Sequence, residues 1–341
     1  MESKQCSSLK SIKVVPLASE SFGVRSMCTL VETPDTVVLL DAGMSLCPYR
    51  FNLPPHPLEF ETIQHLRKVI TDAADKAAIT TISHYHFDHH TPSYTDWVVN
   101  WTDEGETARQ IYQNKLVLIK DSKNNINASQ QQRAGLFQKT GGRHAKAVTV
   151  ADGKPFTFGN TTLSFSEAVV HGAEGGMLGW VIMANVEYGD ERFLFAPDVQ
   201  GPMSIHTTEL ILAAKPDLLM LGGPPLYLAG FRVEQAQIEQ SLQNLSRLVE
   251  AVPLVILEHH ALRDEFWRPK LEKIFLRAQK SQHNILTAAE YMGQANVFLE
   301  SKRRQLFETH PVSDEFNKWI KTLTNKNKKI AKPPFPNSVD Y

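Results

Sequence analysis

The alternation of apolar and polar positions opens with strands. Residues 11–18, 26–32 and 36–41 alternate or run apolar, and Pro34-Asp35 marks the turn between the last two. Short connections of this kind predict an antiparallel meander. Residues 44–57, rich in proline and aromatic residues, predict a loop. From Leu58 to Ala74 the apolar positions Leu58, Ile63, Leu66, Val69 and Ile70 recur at helical spacing. Ala77-Ala78-Ile79-Thr80-Thr81-Ile82 is short and rich in β-branched residues, and predicts a buried strand over 78–82 that ends near Ser83.

Beyond residue 90 the periodicity weakens. Residues 91–112 scatter Trp97, Trp101 and Tyr112 among charges, 115–119 predict a strand, 121–131 are polar, and a helix is expected from Arg133. A second β-rich set follows at 146–150, 155–158, 161–166, 178–187 and 191–196, with Asp152-Gly153 and Gly159-Asn160 as hairpin signals. The chain then alternates: helix 205–214, strand 217–221, helix 233–249, strand 254–258, and helical periodicity through 266–320. No repeat of solenoid period is present. The pattern reads as one α/β domain over 1–325. A tail follows over 326–341, where Lys326, Lys328, Lys329 and Lys332 precede a run of prolines, a composition that predicts flexible chain.

Composition changes this picture little. A hydrophobic share of 42% and a charged share of 21% in 341 residues are those of a globular chain with ample core. A formal net charge of -1 argues against a dedicated nucleic-acid binder. Locally, Lys120, Lys123, Arg133, Lys139, Arg143, His144 and Lys146 make 120–146 basic, either as a solvated insertion or as a lid that binds an anionic substrate. The three cysteines, Cys6, Cys28 and Cys47, lack a CxxC spacing; they form no disulfide framework and suggest a reducing compartment. Cys28 and Cys47 read as small packing residues. With neither a signal-peptide core nor an apolar run approaching ~18 residues, the expectation is a cytoplasmic protein without a membrane span. The pattern leaves oligomeric state open.

Chemistry concentrates in Ile82-Ser83-His84-Tyr85-His86-Phe87-Asp88-His89-His90. His84, His86, Asp88 and His89 follow a strand, and loops at the carboxyl ends of strands are where α/β folds place their chemistry. Alternate side chains of extended backbone share a face, so His84, His86 and Asp88 can converge, and His89 can join them if the chain turns into a helix. Neutral imidazole suits borderline cations such as zinc, and carboxylate adds charge and tolerates harder ions. Split over two centres, such ligands suggest a pair of cations about 3.5–4 Å apart. The bland reading is a histidine-rich polar loop.

His84-x-His86-x-Asp88-His89 resembles the signature of the metallo-β-lactamase superfamily of binuclear metal hydrolases. Members of that superfamily carry a strand ending in Asp-x-Gly, here Leu39-Leu40-Asp41-Ala42-Gly43. They also carry a later His, a later Asp and a last His after a strand. Val169-Val170-His171-Gly172, Phe195-Ala196-Pro197-Asp198 and Ile256-Leu257-Glu258-His259-His260 offer these in order. Asn52-Leu53-Pro54-Pro55-His56 and Gly222-Gly223-Pro224-Pro225 resemble a mostly archaeal branch.

The resemblance implies a four-layer αβ/βα sandwich of the metallo-β-lactamase type, with the metals at one edge between the sheets. It implies two divalent metal ions, with Zn expected first and Fe or Mn accepted by the same ligand types. His84, His86 and His171 would hold one; Asp88, His89 and His259 the other; Asp198 and a water would bridge them. The bridging water would become hydroxide near neutral pH and attack a carbonyl or phosphoryl centre, making Asp88 and Asp198 part of the catalytic apparatus. His259 and His260 compete for the last place, because a strand end points only one of two neighbours inward. Arg263 favours His259, since tRNA-processing members place an Arg after their last His. His260 then becomes a substrate or supporting residue. Asp41 fits the role of accepting a hydrogen bond from a ligand His. Tyr227 is a candidate donor to an oxyanion, against a plain packing role.

Three functions compete on this reading. The first is a binuclear metal hydrolase acting on a small ester, lactone or phosphodiester. The second is a metal-dependent nuclease of the tRNA-processing type, favoured by the basic 120–146 region and tail but lacking a separate RNA-binding arm. The third is a metal-binding protein without turnover.

Overall fold

The structure, a computed structural model, describes residues 9–323 and 331–334. Its first sheet has six strands in sequential order: β1 (Lys13–Ser19), β2 (Met27–Glu32), β3 (Val37–Leu40), β4 (Ile79–Ile82), β5 (Leu116–Ile119) and β6 (Ala147–Val150). β1 to β3 form the expected antiparallel meander, and β3 to β6 run parallel. Parallel neighbours need long crossovers, and helices supply them: α1 (Pro57–Ala74), α2 (Glu106–Tyr112) and α3 (Ala128–Lys139). His56 starts α1. Its Nδ1 accepts from the Leu58 N–H at 3.3 Å, while Glu59 Oε1 accepts from the His56 N–H at 3.0 Å, a reciprocal cap with Pro57 in the first turn.

The second sheet contains β7 (Pro155–Phe158), β8 (Thr161–Phe165), β11 (Ala184–Tyr188), β12 (Glu191–Ala196), β13 (Leu218–Gly222), β14 (Leu254–Glu258) and β15 (Asn284–Leu286). A two-stranded ribbon, β9 (Val169–Val170) with β10 (Trp180–Val181), stands apart. β12 to β15 are parallel, linked by α4 (Ile205–Ala214), α5 (Gln235–Ala251), α6 (Trp267–Lys270) and α7 (Glu272–Lys280). Three short helices complete the described chain: α8 (Ala288–Tyr291), α9 (Arg303–Thr309) and α10 (Asp314–Thr322).

Strand periodicity builds the layers. In the wholly buried β13, Leu218 and Met220 join the core between the sheets, where they meet Val38 and Leu40 of β3 and Phe193 and Phe195 of β12. Leu219 and Leu221 point the other way, against Ile211 of α4 and Leu245 and Leu248 of α5. On the outer side of the first sheet, Leu39 lies with Phe60, Ile63 and Ile70 of α1 and Phe316 and Trp319 of α10. Each central strand thus serves two cores through alternate side chains, as strands buried on both faces do. The result is the four-layer αβ/βα sandwich expected.

Several expectations need correction. Residues 146–150 do not belong to the second sheet. They form β6 of the first, because α3 provides the crossover that lets them lie parallel to β5. Asp152-Gly153 therefore closes no hairpin and carries the chain from one sheet to the other. Gly159-Asn160 does close one, with Phe158 paired to Thr161 and Gly159 at φ +59°. The run 178–187 is two strands in different sheets, β10 and β11. α3 begins at Ala128 rather than Arg133, since Asn127 Oδ1 caps it through the Gln130 N–H at 2.8 Å. The span 266–320 is not all helix, because β15 pairs with β14 inside it.

Cys28 and Cys47 are buried free thiols, and burial pushes both up in pKa. Trp319 Nε1 donates to the Ala331 carbonyl at 2.9 Å, and Lys332 Nζ sits 4.2 Å from the Trp97 ring centre. Lys326, Lys328 and Lys329 of the expected tail lie outside the described residues. No helix among the described residues is long and apolar enough to cross a membrane.

Candidate metal centre

Five chain segments meet just beyond the carboxyl ends of strands: Asp41 after β3, His84 to His89 after β4, His171 after β9, Asp198 after β12, and His259 and His260 after β14. Asp198 sits in the middle. Its Oδ2 lies 2.9 Å from His171 Nε2, 3.2 Å from His84 Nε2 and 3.3 Å from His89 Nε2. Its Oδ1 lies 2.9 Å from His259 Nε2 and 3.1 Å from His260 Nε2. His86 Nδ1 is 3.0 Å from His84 Nε2, and Asp88 Oδ2 is 3.7 Å from His259 Nε2. The potential ligand atoms of His84, His86, His171 and Asp198 fall within 4.8 Å of one another, and so do those of Asp88, His89 and His259. All seven residues expected to hold metal therefore lie together, and two further groups, Asp41 with His84 and His89 and Asp198 with His259 and His260, are equally compact.

These contacts are not an ordinary hydrogen-bond network. Asp198 Oδ1 is buried and has no well-directed hydrogen bond, although two ring nitrogens stand at hydrogen-bond distance. His89 Nε2 and His259 Nε2 face each other at 3.4 Å, as the His84 and His86 nitrogens do at 3.0 Å. Ring nitrogens paired face to face, with a carboxylate between them, are a donor set of the kind that divalent transition cations take up.

The electrostatics agree. Burial, with His89 and His86 nearby, holds His84 well below its usual range. Burial opposes protonation of His89 as well, but hydrogen bonds to Asp198 and Asp41 outweigh it and hold that ring well above its usual range. His259 is pushed up to about 9, against its burial, by Asp198 and Glu20. Despite burial, His259 and His171 hold Asp198 well below the carboxylate range, and His89 and His259 do the same to Asp88. A compact set of buried imidazoles and ionised carboxylates calls for positive charge.

Supporting groups fix the rings. Asp41 Oδ2 accepts from His89 Nδ1 at 2.8 Å, and Asp41 Oδ1 accepts from the Ser83 N–H at 2.8 Å. The Ser83 hydroxyl also donates to Asp41 and stands 3.1 Å from His84 Nδ1. Asp41 thus has the supporting role expected. Glu20, which the sequence pattern did not single out, does the same for His259: Oε2 lies 3.1 Å from His259 Nδ1, and Oε1 accepts from Arg263 Nε at 2.8 Å. Gln200 was also missed; its Nε2 is 3.5 Å from His171 Nδ1.

The strand-end argument that separated His259 from His260 fails. His259 adopts φ +64° and the chain winds into a tight turn over His259–Arg263, so both rings reach Asp198. Tyr227 touches the centre only through His260, with its hydroxyl 3.3 Å from His260 Nδ1 and the two rings stacked at 6.3 Å. Burial, with Arg263 nearby, lowers His260 to about 3.

Gly43 explains the Asp-x-Gly motif. A Cβ there would collide with the backbone of His89 and His90, so the β3 end can approach the histidine loop only as glycine. Gly43→Ala is expected to cost ~1–3 kcal/mol, the usual penalty for overpacking, and to lower metal retention along with stability. Denaturation with elemental analysis checks this, and wild-type stability with full metal content would contradict it.

A cleft of about 360 Å³ opens beside the cluster over His86, Asp88, His171 and His260. That volume suits a small molecule. Residues 120–146 are the crossover that carries α3. Lys120 is buried within it, its Nζ 2.8 Å from Asp152 Oδ1, whereas Arg133 borders the cleft.

No family model matches the chain. It is 43% identical over 295 residues to a UPF0282 protein of Methanopyrus kandleri, covering 86% of this chain and 99% of that one. With a UPF0282 protein of Korarchaeum cryptofilum the identity is 38% over 310 residues, 90% of this chain and 99% of the other. Among solved structures, a metallo-β-lactamase fold protein from Bacillus subtilis superposes with a TM-score of 0.46 at 14% identity, covering 82% of this chain and 96% of that chain.

Proposed function

The chain belongs to the UPF0282 family, and from the centre it carries we propose that it is a binuclear metal-dependent hydrolase acting on a small ester, lactone or phosphodiester. One observation carries the reading: the single Asp198 carboxylate touches imidazoles of both sets, Oδ2 near His171, His84 and His89 and Oδ1 near His259. A carboxylate so placed would bridge two cations, one held by His84, His86 and His171, the other by Asp88, His89 and His259. Bound there, divalent cations such as Zn, Fe or Mn supply Lewis acidity and hydroxide near neutral pH.

The chain's own groups favour the tautomers this requires for three of the ligand histidines. Asp41 accepts at Nδ1 of His89 and Glu20 at Nδ1 of His259, so a cation would take the place of the proton on each Nε2, with Arg263 Nη2 3.2 Å from both nitrogens of His259. The Ser83 hydroxyl gives its proton to Asp41 and so accepts from His84 Nδ1, with the same result for His84. His260 differs. Arg263 Nη1 donates to its Nδ1 at 3.3 Å, so the proton sits on Nε2, beside Asp198 and the cleft. This supports His259 as the ligand and His260 as a hydrogen-bond donor to substrate. Tyr227 holds the His260 ring in place.

Metal-replete protein is expected to contain about two transition-metal ions per chain and to melt higher than chelated protein. A panel of nitrophenyl phosphodiesters, lactones, β-lactams and a structured RNA, run with and without chelator at two salt concentrations, tests the substrate class. Chelator-sensitive turnover of a small substrate with shallow salt dependence is the expected result. Cleavage of RNA alone, falling steeply with salt as phosphate contacts release counterions, would favour the nuclease. Metal binding with no turnover across the panel would favour the non-catalytic reading. Absence of metal would sink all three.

A further inference from the structure

Three guanidinium groups border the cleft: Arg25, Arg133 and Arg263. Two are spoken for. Arg25 is doubly bonded to Glu300, with both contacts at 2.6 Å, and Arg263 is bonded to Glu20 at 2.7 and 2.8 Å. Arg133 has no carboxylate within ion-pair distance among the described residues. Its Nη1 reaches only the Tyr85 carbonyl, at 3.4 Å, and its Cζ lies 4.9 Å from the centre of the Phe87 ring. Tyr85 and Phe87 alternate with His84, His86 and Asp88, so the guanidinium rests on the histidine loop itself. α3 holds it there. The α3 N-terminus is tied to the loop before β10, where Asn127 Nδ2 donates to the Met177 carbonyl at 2.9 Å and Gln130 Nε2 to the Leu178 carbonyl at 3.3 Å. Among its polar groups the cleft also carries apolar lining, from Phe87, Val99, Leu178 and Leu228.

A half-buried cation without a counter-ion, set against a π-face at the rim of a substrate-sized cleft, is arranged for an anionic group. We propose that Arg133 is the specificity residue of this site, and that the substrate is a small molecule with an apolar portion and a carboxylate or phosphate separate from the bond that is cut. The proposal rests on the hydrolase reading for the word substrate, but the anion-binding role of Arg133 is tested separately by equilibrium binding.

Metal-loaded wild type, Arg133→Met and Arg133→Lys are titrated calorimetrically with benzoate, phenyl phosphate and benzyl alcohol. Methionine keeps the length of the side chain without its charge, and melting curves verify that the variants fold. The expected result is a loss of at least tenfold in affinity for one or both anions in Arg133→Met, partial recovery in Arg133→Lys, and no change for benzyl alcohol. Which anion responds distinguishes carboxylate from phosphate. Equal anion affinity in wild type and Arg133→Met would overturn the proposal, and so would undetectable anion binding by wild type. In parallel, turnover of neutral and anionic nitrophenyl esters is followed with and without chelator. Chelator-sensitive turnover with KM values unaltered by Arg133→Met leaves the hydrolase standing and removes the clamp. An Arg133-dependent anion affinity without any turnover keeps the clamp and removes the hydrolase.

Discussion

Asp198→Ala is expected to bring metal content from about two ions per chain to one or fewer and to lower chelator-sensitive turnover by more than ~100-fold. The lower bound follows from the 10–100-fold that typically follows loss of a group that merely orients a metal ligand. Asp198 is placed to do more. It stands within 3.3 Å of five imidazole nitrogens on three different segments besides its own. Removing it leaves those rings buried with neither a shared acceptor nor the negative charge that would offset two cations. Asp198→Asn separates the two contributions, since it keeps the shape and loses the charge. Elemental analysis of purified variants gives the stoichiometry, and the panel substrate with the highest wild-type rate gives the turnover. Two ions per chain and wild-type turnover in Asp198→Ala would reject the bridging assignment.

Arg303→Met is expected to destabilise the fold by ~3–5 kcal/mol, the usual cost of breaking a buried ion pair by removing one partner. Arg303 is a fully buried side chain at the start of α9. Its Nε and Nη2 donate to the two Glu59 oxygens at 2.7 and 2.6 Å, and it also donates to the carbonyls of Leu53 at 3.1 Å and Cys47 at 2.9 Å. One side chain thus joins α9, the first turn of α1 and the loop that borders the cleft. The loss leaves the buried Glu59 carboxylate with the His56 N–H but without its guanidinium, and takes a donor from the carbonyls of Leu53 and Cys47. Chemical denaturation reads the effect, and the double variant Arg303→Met/Glu59→Gln should cost less than the two single changes together. A loss below about 1 kcal/mol would show that the pair is not the anchor described.

What could be read from sequence follows the range of the interactions involved. His84, His86, Asp88 and His89 were legible because a single turn after one strand sets their geometry. His171, Asp198 and His259 were legible only through a resemblance of motif order, since nothing local brings residues so far apart in the chain together. Glu20 was not legible at all. It lies in a tight turn after β1, and its meaning comes from His259 and Arg263 at the far end of the chain. The strands were well marked where a short continuous apolar run was bounded by polar or turn residues, as in β13 and β14. The membership of β6 was not, because parallel pairing depends on a crossover helix rather than on the strand's own residues. β15 has three residues and follows an amphipathic helix, so its apolar positions pass for another helical turn. That both His259 and His260 point inward was not legible, because the rule for extended backbone ceases to apply where His259 turns left-handed.

That left-handed turn has company. Asp41, Asp198 and Gln200 also take positive φ, at +47°, +50° and +57°. For His259 and Gln200 this costs ~1–2 kcal/mol that glycine would not give up, and less for the two aspartates, whose short polar side chains tolerate the left-handed region. Durability and chemistry therefore draw on the same few positions. A search for hardier versions of this protein, guided by unfolding of chelated protein alone, is expected to enrich glycine at these positions and so to remove the side chains proposed to hold or support the cations.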